Sequence, residues 1–237
     1  MKNFKLLILI LLAAFSSSCN KDDGDSTVVG DAIVISKKSG TNTVYAIAYY
    51  AYAYSTLKSV SVESALDSTM QVDLAANGIY TTNFLKEPTD KDFTTTKPIA
   101  DTFIFNAVFE SGNTYQTKDA ITSDILAPIN IEECIYNATK SYAELSWTAL
   151  TNADSYVITV FNSSGTVVFR SAELANTITG VNLSASTSGW TSGYPVSGDT
   201  YTVRILAYKY EDSTNPNAYH IQSTSYSEAS IVWSKKI

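Results

Sequence analysis

From residue 28 onward, short apolar runs alternate with polar positions at a period of two and are divided by Gly, Asn, Asp, Ser and Thr clusters. That is the pattern of half-buried strands joined by turns. In the first half it predicts strands over 32–36, 43–54, 58–63, 70–74, 79–82, 101–110 and 115–121, enough for one β-sandwich. Almost no 3.6-residue stripe interrupts them, and only 63–67 reads as a helical turn.

Two of these segments stand apart. In 101–110, Phe103, Phe105, Ala107 and Phe109 share one face, which predicts a core strand. In 43–54 both faces are apolar or aromatic, Val44, Ala46, Ala48, Tyr50, Tyr52 and Tyr54 opposing Tyr45, Ile47, Tyr49, Ala51 and Ala53. Burial on both faces would give that pattern. So would tyrosines lying flat on a wet sheet with their hydroxyls in water. Residues 125–129, Ile-Leu-Ala-Pro-Ile, read as a boundary, because Pro128 cannot donate to a ladder.

The second half has a different rhythm. Leu145-Ser146-Trp147 is followed by a Tyr-x-Val strand beginning at Tyr156, and a Tyr-x-Val-x-Ile-x-Ala strand begins at Tyr201. These spacings resemble a fibronectin type III domain over residues 128–237. The resemblance implies a core role for Trp147 and a corner at Tyr201 whose hydroxyl bonds back to the chain. The fold class expected is therefore all-β, with two tandem sandwiches, immunoglobulin-like over 31–127 and fibronectin type III-like over 128–237.

The N-terminus carries an address. Residues 1–18 combine Lys2 and Lys5, an apolar run over 6–15 and three serines, the layout of an export signal too short to span a bilayer. Cys19 follows, and the segment resembles a bacterial lipoprotein signal, with Ser16 where that motif prefers Leu. The acidic stretch after Cys19, within the linker 19–30, resembles the export tag of Bacteroidetes surface lipoproteins. The resemblance implies lipidation at Cys19, an outer-membrane anchor and display on the cell exterior.

Composition then narrows the chemistry. The 237 residues carry 16 Lys and Arg against 23 Asp and Glu, a net charge of −7, which excludes the cationic footprint of a nucleic-acid binder. Loss of 1–18 removes two lysines and leaves 14 cations against 23 acids, or −9. With Cys19 lipidated, Cys134 has no disulfide partner and reads as a structural thiol. The one histidine, His220, lacks any nucleophile motif around it, and no short-spaced ligand set suggests a metal or other cofactor. Two carboxylates suffice for a glycosidase, so that alternative stays open, although the acids fall mostly in turn-like clusters.

Binding is the more economical function. Trp190 and Tyr194 sit in a Ser/Gly-rich stretch, and Tyr208, Tyr210 and Tyr219 form a second aromatic group on the final hairpin, all being candidates for ligand contact. Trp190 capping the sandwich is the competing role. Asp-Ser-Thr triplets at Ser26, Ser68 and Ser213 resemble O-glycosylation acceptors of Bacteroidetes. The expected function is a non-enzymatic surface module, with a glycan or an outer-membrane protein as partner; the alternative is a structural or adhesion subunit.

Overall fold

The computed structural model describes residues 27–211 and 220–234. Cys19, Ser26, Ser213 and Tyr219 lie outside them. The first half folds as β1 (Val28–Ser39), β2 (Asn42–Ala53), β3 (Leu57–Ser64), β4 (Gln71–Asn77), β5 (Tyr80–Lys86), β6 (Asp101–Phe109) and β7 (Thr114–Ile121). The second contributes β8 (Ile131–Asn137), β9 (Tyr142–Trp147), β10 (Ser155–Phe161), β11 (Val167–Arg170), β12 (Leu174–Ala175), β13 (Gly180–Ser184), β14 (Thr200–Tyr210) and β15 (Ile221–Val232). All seven strands expected in the first half are present.

The helical turn is displaced. Residues 63–64 end β3 and the chain bends at 65–66, because Ser64 Oγ accepts the N–H groups of Leu66 and Asp67 at 3.1 and 2.9 Å while donating to Asp101. A side chain competing for those donors opposes helix. Among the described residues a 3-10 turn forms instead at Asp90–Asp92, where the Asp92 carboxylate accepts from both the N–H and the hydroxyl of Thr89.

Both halves share one strand order. In the first, a layer β1-β2-β5 faces a layer β4-β3-β6-β7; in the second, β8-β9-β13 faces β11-β10-β14-β15. Leaving aside the two-residue β12, each half sets its first, second and fifth strands in one layer and its fourth, third, sixth and seventh in the other. Each has its own core. One gathers Val34, Tyr49, Val62, Phe103, Phe105 and neighbours; the other gathers Trp147, Tyr156, Phe169, Tyr201, Ile205 and Trp233.

The corner expected at Tyr201 is present. Its ring is buried at the start of β14 and its hydroxyl accepts the Val196 N–H at 2.8 Å. Tyr201→Phe keeps the ring and leaves that N–H unpaired, so urea unfolding should show a loss of about 1–2 kcal/mol.

The halves are joined by backbone pairing. β1, at the edge of its layer, runs parallel to β15, at the edge of the other sandwich, pairing Val34 to Lys37 with Ser223 to Tyr226. Each edge thereby covers the other's unpaired groups. Behind the seam, Ser36, Ser223 and Ser225 are fully buried. Ser36 Oγ donates to the Leu126 carbonyl at 2.7 Å, and the Leu126 N–H donates to Ser223 Oγ at 2.9 Å. Leu126 and Ile129 thus bind the connecting segment into the second core.

Candidate functional site

The continuous sheet has an outer face that crosses the seam. Strand register places Leu206 opposite Tyr226 and Tyr226 opposite Lys37, with Lys37 opposite Val44, so one lateral row runs over four strands. The next row sets Tyr208, Thr224, Ile35 and Ala46 side by side. These outward positions follow from the period of two, since their neighbours Ala32, Val34, Ile205 and Ala207 fill the cores.

Segment 87–98 crosses the same face. Tyr45 and Thr94 exchange backbone hydrogen bonds of 2.8 and 2.9 Å, and Phe93 lies under the Lys37 ammonium, 4.0 Å from the ring centroid. This covering explains why 43–54 is apolar twice over: Tyr49, Ala51 and Ala53 face the core, while Val44, Ala46 and Ala48 are buried on the opposite side. Tyr52 and Tyr54 alone among its tyrosines are exposed, in edge contact with each other.

Between this segment and the second sandwich lies a groove of about 570 Å³. Tyr50, Phe93, Tyr208 and Tyr226 supply rings, and Lys37, Arg170, Arg204, Glu87 and Asp90 supply charge. Several of these groups are held in place. The Arg204 guanidinium lies 4.7 and 4.4 Å from the Phe161 and Tyr226 rings and donates to Glu228 at 2.7 Å. Lys37 Nζ pairs with Asp90 at 2.7 Å, and Tyr50 donates to Glu87 at 3.2 Å. The Lys37 ammonium holds the Asp90 carboxyl below the usual carboxylate range. Such a surface can bind by stacking and by charge-assisted hydrogen bonds.

Apart from Tyr208, the sequence candidates fall elsewhere. Trp190 is half-buried against the second core: its indole N–H donates to the Ser184 carbonyl at 2.9 Å, and its ring meets Phe169 and Trp233 at 4.9 and 5.3 Å. The path is made by Gly189, whose φ of +119° and position against the Arg170 carbonyl leave no room for a Cβ. Tyr194 packs edge-on to Tyr201 and accepts from Asn162 at 3.2 Å.

Tyr210 stacks on Tyr208, with rings 7° from parallel, and donates to Glu173 at 2.6 Å. Burial, with Glu173 adding to it, pushes the Tyr210 hydroxyl up to about 12. Ser68 is exposed in a turn where Asp67 accepts from both the N–H and hydroxyl of Thr69. Cys134 is half-buried against the second core, and burial pushes its thiol up to about 11, which disfavours the reactive thiolate.

Of the groove's rings, Tyr208 belongs to the aromatic group that the sequence places on the final hairpin and Tyr50 to the tyrosine-rich strand over 43–54, whereas Tyr226 and Phe93 carry no signal of their own. Their meeting depends on the pairing of β1 with β15, which no local pattern encodes.

No family model matches the chain, and no curated protein matches it. Among solved structures, it is similar to a two-domain fibronectin type III segment of chicken tenascin, at 15% identity over 84% of this chain and 97% of that one, with a TM-score of 0.29. Fibronectin(III)-like modules of CbhA from Clostridium thermocellum match at 11% identity over 89% and 95% of the two chains, TM-score 0.29. Latent PorU from Porphyromonas gingivalis matches at 8% identity over 90% of this chain and 21% of that one, TM-score 0.30. By its own strand order, repeated in both halves, the chain is all-β, a tandem of two sandwiches of the immunoglobulin-like or fibronectin type III-like class.

Proposed function

We propose that this chain is a non-enzymatic binding module whose ligand lies along the groove across the shared sheet, and that the ligand is a glycan. One observation carries the reading: four aromatic rings and both signs of charge line a single concavity. Sugar rings present apolar faces for stacking and hydroxyls for charged partners, and this lining offers both. The N-terminal address supports placing the module on a lipid at Cys19, facing the exterior of the outer membrane.

Affinity-gel retention by a soluble fragment beginning at Asp25 tests it. Retarded migration in polysaccharide is expected, weakened about tenfold by Tyr208→Ala, a loss equivalent to about 1.4 kcal/mol. Unchanged retention in that variant would remove the groove from the reading. Loss only in a folded Trp190→Ala variant would move the site to the loop at Trp190 and Tyr194.

A protein partner is the second reading. Val29, Tyr52 and Tyr54 favour it, being exposed apolar groups at one end of the first sandwich, with Val29 and Tyr52 directly paired. Recovery of a stoichiometric outer-membrane protein with no polysaccharide retention would select it.

A further inference from the structure

Where the sandwiches meet, side chains far apart in the sequence converge. Asp119 comes from β7, Glu211 follows β14 and His220 precedes β15, and one ligand atom from each lies within 4.8 Å of the others. The backbone fixes this placement. The Glu211 N–H donates to the His220 carbonyl at 3.0 Å, setting those two residues side by side. Asp119 is only 7% exposed, and its Oδ2 accepts the Ala32 N–H at 2.7 Å, tying it to β1.

Asp31, the preceding residue on β1, turns to the same place. Its Oδ2 accepts the Ile221 N–H at 3.2 Å. Two oxygens of the group are left over: Asp31 Oδ1 and Glu211 Oε1 are withdrawn from solvent and accept no hydrogen bond from the described residues. Buried carboxylate oxygens ordinarily find a donor or a cation. Three carboxyl groups meet there, so the surroundings favour an added positive charge.

We propose that Asp119, Glu211 and His220, with Asp31 beside them, form a divalent-cation site that fastens the two sandwiches together. The donor set indicates the ion. Carboxylates suit Mn²⁺, Mg²⁺ and Ca²⁺ and an imidazole suits Zn²⁺, so the mixed set points to Zn²⁺ or Mn²⁺ rather than to Ca²⁺, which takes six to eight oxygens. The group differs in place from the groove, although Asp31 borders both.

Thermal unfolding of chelator-stripped protein, titrated in turn with Zn²⁺, Mn²⁺, Ca²⁺ and Mg²⁺, tests the site. At a hundredfold excess over Kd, Zn²⁺ or Mn²⁺ should raise Tm by about 5–10 °C, reversed by EDTA. Glu211→Gln and His220→Gln should each weaken binding at least tenfold by calorimetric titration. Because Glu211→Gln removes repulsion, its Tm in EDTA should equal or exceed that of the parent. The proposal fails if no ion raises Tm, if the rise survives both substitutions, if only Ca²⁺ or Mg²⁺ acts, or if Glu211→Gln is destabilised in EDTA.

Discussion

Replacing Trp147 with Ala should lower the unfolding free energy by about 3–5 kcal/mol, the cost of a large aromatic deletion that the surroundings cannot refill. Trp147 is 1% exposed on β9 and meets Tyr156 edge-on, with centroids 5.4 Å apart. Tyr156 is itself fixed, because its hydroxyl accepts the Leu150 N–H at 2.8 Å, so it cannot swing into the vacated space without losing that bond. The indole N–H of Trp147 has no acceptor among the described residues. Trp147→Phe should therefore cost distinctly less than the alanine variant, since it retains a ring and removes an unpaired buried donor. Urea unfolding followed by far-ultraviolet circular dichroism compares the two. A loss below about 1 kcal/mol for Trp147→Ala would mean that the core closes over the gap.

The second large effect belongs to the other sandwich. A Cβ added to Gly30 would stand 2.5 Å from Cδ2 and Cγ of Phe105, whose ring is wholly buried. Aromatic core and glycine backbone are in flat contact there, so Gly30→Ala must displace Phe105 into Tyr49, Phe103 and their neighbours. Overpacking of this kind costs about 1–3 kcal/mol. All three tryptophans, Trp147, Trp190 and Trp233, lie in or against the second core, so fluorescence observes the sandwich that Gly30→Ala does not touch. Through the β1–β15 ladder and the buried serines behind it, the fluorescence transition should shift with the dichroism transition. A fluorescence transition left unmoved while dichroism shifts would show that the seam transmits no stability between the halves.

Much of the architecture was legible from local pattern. The Phe103, Phe105, Ala107 and Phe109 face is a core strand because strand side chains alternate strictly, and a run of four on one side leaves one assignment. Tyr201 and Trp147 were readable because their spacing belongs to a whole sandwich. The helical turn was misplaced because Ser64, an ordinary residue in sequence, captures two backbone donors. Tyr50 and Tyr208 were legible as aromatic candidates, but their assembly into one groove and the acidic cluster were not. A search for metal ligands at short spacings passes over Asp119, Glu211 and His220, since the first of these is brought to the others only by the fold.

Alternation of apolar and polar residues by itself determined the strands, the two cores and their all-β class, because side-chain periodicity is a property of a few consecutive residues. Only the tertiary structure decided that the edges of β1 and β15 join, that Asp31 receives a hydrogen bond from Ile221 across 190 residues, and that Tyr208 and Tyr226 share a concavity with Phe93. The reason is physical. Each of those meetings depends on which exposed edge finds which partner, a choice made between whole sheets rather than within any one segment.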